Sequence, residues 1–304
     1  MEKNLSNYAI IGTGAIGGYY GGLLAQSGQE VHFLLHSAYQ AVKQQGLKII
    51  TVNDYFTLPK INVYQNAQQM PKCDVIIIAL KTTQNKLLPT LLPHLLKENS
   101  IILIMQNGFG NEEFVESICP NNAIYCALTT IGVIKLTPGV IKATHQGVIR
   151  LAPYNDLAKN ENIINSISNK LKTAAIPFEI HNDYLQIRWQ KLLWNIPFNG
   201  LCVLHNTSAD ILAQNFVPLL KSIAAEIIAI ANAYDITLSM EIFENMIKDS
   251  AMLTGYKPSM LYDFEQHKSI EIEYIYANPL IAAKSKNMNC PQIENLYLQL
   301  TKLK

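Results

Sequence analysis

The stretch Tyr8-Ala9-Ile10-Ile11-Gly12-Thr13-Gly14-Ala15-Ile16-Gly17-Gly18 decides the fold. Four apolar residues, Tyr8 to Ile11, read as a short buried strand, and Gly12, Gly14 and Gly17 follow in G-x-G-x-x-G spacing. Each glycine then has a physical task. Gly12 permits the tight turn out of the strand, Gly14 lets the backbone approach a pyrophosphate, and Gly17 lets the next helix pack closely on the sheet. Ala15 and Ile16 open that helix, whose free N–H groups and positive dipole end suit phosphate. The spacing alone is weak, because glycines fall this way by chance. A strand before it, a helix-compatible segment after it and a place close to the N-terminus make it a dinucleotide fingerprint.

Working outward, Tyr19 to Ser27 suits a helix packed through Gly21, Gly22 and Ala25 and ended by Gly28, and Glu30 to Leu35 reads as the second strand. That strand stops at His36 and Ser37 with no carboxylate to hold a ribose 2′-hydroxyl. This favours NADP over NAD, although a neutral imidazole is a poor partner for a 2′-phosphate, so NADH stays open. Val75 to Leu80 and Ser100 to Met105 are continuous apolar runs, as in strands buried on both faces of a parallel sheet. They end at Lys81 and at Gln106-Asn107-Gly108, where open α/β sheets bind ligands. Between Ala123 and Pro153 strand-like segments alternate with turn signals, and Thr137-Pro138-Gly139 predicts a hairpin closing the far edge of the sheet. A helix over Ile163 to Leu171 and a strand near Phe178 to Ile180 follow.

Beyond His181 helical patterns take over. Helices are expected over Tyr184 to Trp194, from Pro218 to Tyr234, after a cap at Ser239, and after a cap at Ser269 that leads into Glu271 and Glu273. The fold class is therefore α/β: a Rossmann-like dinucleotide-binding domain over residues 1–180, followed by an all-helical substrate domain over 181–304.

Composition narrows the function. Of 304 residues, 49% are hydrophobic and only 15% charged, which describes a packed globular chain. The net charge of +1, with no basic block, gives no footprint for nucleic acid. Residues 8–25 carry no charge, but six glycines among them make a poor membrane helix, so no membrane partner is expected. Five cysteines, with no C-x-x-C pair, indicate neither a disulfide framework nor a zinc site; reduced thiols in the cytoplasm are the default, and no metal is expected.

In the helical half, Lys191 and Asn195 share one helix face, with Asn199 a further four along and Pro197 between them to kink or end the helix. Flanked by Trp189, Leu192, Leu193 and Trp194, Lys191 would have its pKa lowered by burial and stand ready to donate a proton. Glu271 is a candidate carboxylate to hold it charged and oriented. On pattern alone, an ordinary surface lysine is the commoner case.

The motifs taken together carry more. Gly12 to Gly17, Leu80-Lys81 with Gln84, and Gln106-Asn107-Gly108-Phe109-Gly110 stand in the order found in ketopantoate reductases. Trp189 to Asn195, Ser259 to Asp263 and Glu271 to Ile275 continue the series. The whole chain resembles that family. The resemblance implies hydride transfer from NADPH to the ketone of 2-dehydropantoate, giving pantoate for pantothenate and coenzyme A synthesis. It implies that Lys191 is the general acid with Glu271 beside it, and that Asn195, Asn199 and Ser259 bind substrate. Lys81 and Asn107 fall at the cofactor–substrate junction, and the expected assembly is a monomer or homodimer. The sequence departs from the family pattern in four ways. His36 stands for a usual arginine, Tyr256 for an asparagine, and Tyr276-Ala277 for Asn-Gly, while Pro197 precedes Asn199 instead of following it. Two alternatives stay open: a paralogue reducing another branched 2-oxo acid, and an NADP-binding sensor without catalysis.

Overall fold

The computed structural model describes residues 5–303. In chain order the strands are β1 (Asn7–Ile11), β2 (Glu30–Leu34), β3 (Leu47–Ile50), β4 (Tyr55–Leu58), β5 (Asn62–Tyr64), β6 (Cys73–Ile78), β7 (Leu96–Ile104), β8 (Ala123–Thr130), β9 (Val133–Thr137), β10 (Val140–Ala143), β11 (Val148–Pro153) and β12 (Phe178–Ile180). The helices are α1 (Ala15–Gln26), α2 (Tyr39–Gln45), α3 (Leu88–Leu95), α4 (Asn111–Ile118), α5 (Glu161–Thr173), α6 (Tyr184–His205), α7 (Ala209–Asn215), α8 (Val217–Ala233), α9 (Met240–Met252), α10 (Ser259–Glu265), α11 (Asn278–Ser285) and α12 (Pro291–Thr301). The chain divides into two compact units: residues to Gln106 with Asn111–Tyr184, and Asn107–Gly110 with residues from Leu185 on.

The first unit is built on an eight-stranded sheet in the order β12-β11-β8-β7-β6-β1-β2-β5, parallel throughout except where β11 runs against β8. Alternate side chains of β1 and β7 serve two separate cores. Tyr8, Ile10, Ile101 and Leu103 face one, and Ala9, Ile11, Ile102 and Ile104 the other. That two-sided burial is why these strands read as unbroken apolar runs. The Rossmann-like expectation for this half holds.

The hairpin is a correction. β9 and β10, joined at Gly139 with φ +83°, pair with β3 and β4 in a second, four-stranded sheet instead of closing the edge of the main one. The hydrophobic pattern gave the strands, but register with β3, some ninety residues earlier, lies beyond local reading. This small sheet nests on α1. A Cβ at Gly18 would collide with Ile141 of β10, and one at Gly22 would stand 2.8 Å from Ile49 of β3.

The second unit is helical, with no strand among its described residues. Its centre is α6, apolar nearly all round and buried from Ile187 to Val203 on most positions. Pro197 neither ends nor interrupts the run, which continues to His205. An internal proline costs about 3 kcal/mol, but each fully buried neighbour such as Trp189, Leu193, Ile196 or Phe198 contributes roughly 1.5–3 kcal/mol, so tertiary burial wins. Ser239 caps α9 through a 3.4 Å bond from Ile242 N. Ser269 caps nothing: the segment enters a π-helical turn, Glu273–Ala277, preceded by Ile272 and continuous with α11. Among the described residues no single helix is long and apolar enough to cross a membrane.

Candidate active site

In the first unit the fingerprint does what its spacing asks. Gly12 has φ +95°, and a Cβ there would strike the backbone nitrogen of Leu80; a Cβ on Gly17 would strike the Gly12 carbonyl. Both glycines are required by close backbone approach. Gly14 differs, since a Cβ there would meet nothing within 4 Å. It borders open space at the N-cap of α1, where no side chain caps the helix and no acid sits in the first turn. Ala15, Ile16 and Gly17 therefore present first-turn N–H groups with no preceding carbonyl of the helix to accept from them. Thr13 Oγ1 donates to Leu34 O at 3.0 Å, tying this turn to the end of β2.

A cleft of about 590 Å³ opens beside these residues. It is lined by the Gly12–Gly14 turn, His36 and Ser37 beyond β2, Leu80 beyond β6, Gln84, and Lys135 from β9. His36 and Ser37 are exposed. No described lining residue is acidic. Lys81, half-buried, follows β6 and stands at the N-cap of a 3-10 helix, Thr82–Leu87. The turn beneath it is pinned by amides: Gln106 Nε2 donates to Leu80 O at 2.9 Å and to Asn85 Oδ1 at 2.6 Å, and Asn85 Nδ2 donates to Asn111 Oδ1 at 3.2 Å. Sequence reasoning missed Asn85 and Asn111, whose partners are brought in by tertiary packing, and Lys135, which the folding of β9 brings to the cleft.

In the second unit α6 carries Lys191, Asn195 and Asn199 at four-residue steps, on one side of the helix. Lys191 is half-buried and both asparagines are buried. Asn195 Nδ2 is a buried donor with no hydrogen-bond partner. Glu271 is 5% exposed, immediately before Ile272, whose side chain packs in the same core as Leu192 and Ile196. Ser259 is exposed at the start of α10. Asn107 begins a loop fastened to the helices. Gly108 has φ +91° and its carbonyl accepts from Arg188 at 3.2 Å, Phe109 N donates to Tyr274 O at 2.8 Å, and Asn278 Nδ2 donates to Phe109 O. Arg188 is 1% exposed; nothing in its local sequence marked it for this task.

The two tyrosine departures have structural accounts. Tyr276 is fully buried, its hydroxyl donates to Ile196 O at 3.0 Å, and Gly200 leaves it room. Burial drives its phenol well above its usual pKa. Tyr256 packs against Trp194, with ring centroids 6.2 Å apart, and accepts from Ala209 N through its carbonyl.

A parallel sheet with a glycine-turned cleft at its carboxyl edge, followed along the chain by a helical unit that carries a lysine and two buried amides, is the composition of a dinucleotide-dependent oxidoreductase. The chain belongs to the ketopantoate reductase family: residues 8–156 match the model described as ketopantoate reductase PanE/ApbA, and residues 183–304 its C-terminal counterpart. It is 40% identical to a 2-dehydropantoate 2-reductase of Nostoc sp., over 98% of this chain and 95% of that one. It superposes on the crystal structure of a 2-dehydropantoate 2-reductase from Geobacter metallireducens with TM-score 0.90 and 32% identity, covering 98% of this chain and all of the other. A D-mandelate dehydrogenase, solved with NADH and anilino(oxo)acetate, shares the fold at TM-score 0.90 and 22% identity, with 98% of both chains covered.

Proposed function

We propose that this protein reduces 2-dehydropantoate to pantoate, with NADPH as its preferred cofactor. The observation that carries the reading is Asn195 Nδ2, a buried donor without a partner one helical turn beyond Lys191. Leaving such a donor unpaired costs about 1–3 kcal/mol, a cost that a substrate oxygen bound there would remove.

The first unit fits a dinucleotide. Open space at Gly14 and the uncapped start of α1 suit a pyrophosphate, and the absence of an acid among the described lining residues suits a phosphorylated ribose. When bound, the reduced nicotinamide supplies the hydride. The chain's own residues do the rest. Lys191 Nζ donates a proton to the carbonyl oxygen as it becomes an alkoxide, and its charge stabilises that oxygen beforehand. Glu271 holds the ammonium oriented. Asn195, Asn199 and Ser259 bind the substrate's polar groups, and Asn107 and Lys81 serve where cofactor and substrate meet. We assign residues 1–180 to cofactor binding and 181–304 to substrate and catalysis. The protein acts as a monomer or homodimer in the cytoplasm, a setting suited to five cysteines that are all buried and outside any disulfide.

NADPH oxidation on addition of 2-dehydropantoate tests the reading, against a panel of other branched 2-oxo acids. Lys191→Ala is expected to lower kcat by about 10²–10⁴-fold while NADPH binding, followed by fluorescence, is unchanged. Normal turnover in that variant removes the general-acid assignment. Turnover of another 2-oxo acid but not 2-dehydropantoate would replace the substrate and keep the reaction.

A further inference from the structure

The cleft brings one residue to the adenosine side that no fingerprint marks: Lys135. It lines the same space as His36, Ser37 and Ala38, the segment beyond β2 where folds of this kind meet the 2′ substituent of the ribose. His36 and Ser37 give that strand end no permanently charged group, whereas an ammonium carries a full positive charge at neutral pH.

Its position is set by scaffold, not by a loose loop. Lys135 lies directly opposite Ile141 in the β9–β10 ladder. Residues directly opposite across an antiparallel pair project from the same face of the sheet. Ile141 is 1% exposed and fits against Gly18 of α1, so that face is turned toward the helix whose first turn borders the cleft. Gly22 takes Ile49 of β3 in the same way, so two glycines clamp the small sheet to α1. Lys135 is exposed, and its flexible stem can bring the ammonium to an anion.

Resting on the dinucleotide reading of this cleft, we propose that Lys135 binds the 2′-phosphate of NADPH and is the residue that selects NADPH over NADH. A phosphate there adds nearly two negative charges that NADH lacks. A cation facing it strengthens the binding of one cofactor and leaves the other untouched.

Direct binding tests this without turnover. Fluorescence titrations with NADPH and NADH, and competition by 2′,5′-ADP, are run on the full chain, on Lys135→Met and on Lys135→Arg. Lys135→Met keeps the aliphatic stem at an exposed site and is expected to fold. It should weaken NADPH and 2′,5′-ADP about tenfold, leave NADH within twofold, and be reversed by Lys135→Arg. Equal weakening of NADPH and NADH would show a merely structural role and overturn the proposal, as would unchanged NADPH binding. Wild-type protein that binds neither dinucleotide would overturn the reading of the cleft itself, and the inference with it.

Discussion

The two edges of the main sheet are made from the same strands and treat polar residues in opposite ways. At the amino edge, Asp74 is the second residue of β6 and is satisfied from within. Its Oδ2 accepts from Ser6 N at 2.9 Å and Ser6 Oγ at 2.6 Å, its Oδ1 accepts from Lys97 Nζ at 2.7 Å, and its own N–H donates to Asn7 Oδ1 at 2.9 Å. At the carboxyl edge, Gly14 borders open space, and His36, Ser37 and Gln84 line a cleft. Polar groups at the first edge hold the sheet together; those at the second are arranged for something that is not protein. That division is what an open α/β sheet predicts, since its ligands gather outside the carboxyl ends of the strands.

The sharpest way to break the comparison is at Gly12. Alanine there must adopt φ +95° and place its Cβ on the backbone of Leu80, so either the turn or the end of β6 has to move. Gly12→Ala is expected to weaken NADPH binding by a hundredfold or more and to lower the stability of the first unit as well. Unchanged NADPH affinity in a folded variant would mean that the turn does not shape the cofactor site.

Asp74→Asn should do the reverse, costing stability and not binding. Burial alone would raise the Asp74 carboxyl, but the Lys97 ammonium and the Ser6 hydroxyl and N–H outweigh it and hold the pKa down to about 2, against an ordinary 3.8. A folded-state pKa below the unfolded value gives stability that is complete above about pH 4 and is lost as pH falls through about 2. The variant is expected to lose about 1–2 kcal/mol at neutral pH and to show a flatter stability profile between pH 4 and pH 2, in urea melts across that range. NADPH affinity should stay within twofold. A variant with wild-type acid sensitivity would remove Asp74 from the account.

The contrast also explains how far the sequence could be read. β1, β6 and β7 were legible because burial on both faces leaves the runs Tyr8–Ile11, Val75–Ile78 and Ile101–Ile104 without a polar residue, and the Gly12 turn because its glycines answer to one another within six positions. Gly108 is the same kind of residue, with φ +91° and a Cβ that would stand 2.6 Å from Tyr274 O, yet its partner lies 166 positions along the chain. Its backbone requirement was invisible locally, and only resemblance to a family drew attention to that loop. Lys191 shows the same limit. Helical spacing put it beside Asn195, but spacing cannot say which face of α6 is left unsatisfied; the partnerless Asn195 Nδ2 does. The β9–β10 hairpin was recognised and misplaced, because turn chemistry fixes a hairpin and only packing against α1 decides which sheet receives it. Tyr276 was read as a departure bearing on substrate and proves to be a core residue bonded to Ile196 O, with Gly200 making its room.

The smallest expected effect returns to the carboxyl edge. His36 is exposed at the end of β2, so an arginine there replaces no packed contact and meets no steric barrier. If the adenosine end already draws its positive charge from Lys135, a second cation adds to an occupied role, and exposed charges in water contribute well under 1 kcal/mol beyond the first. His36→Arg is therefore expected to tighten NADPH binding by about threefold, to leave NADH unchanged and to leave the melting temperature where it was. In the Lys135→Met background the same substitution should restore most of the lost NADPH affinity, since the phosphate then has a single cation to meet. A gain as large in the wild type as in Lys135→Met would show that the two positions do not share one phosphate. The cleft would then take its charge selectivity from the end of β2 alone.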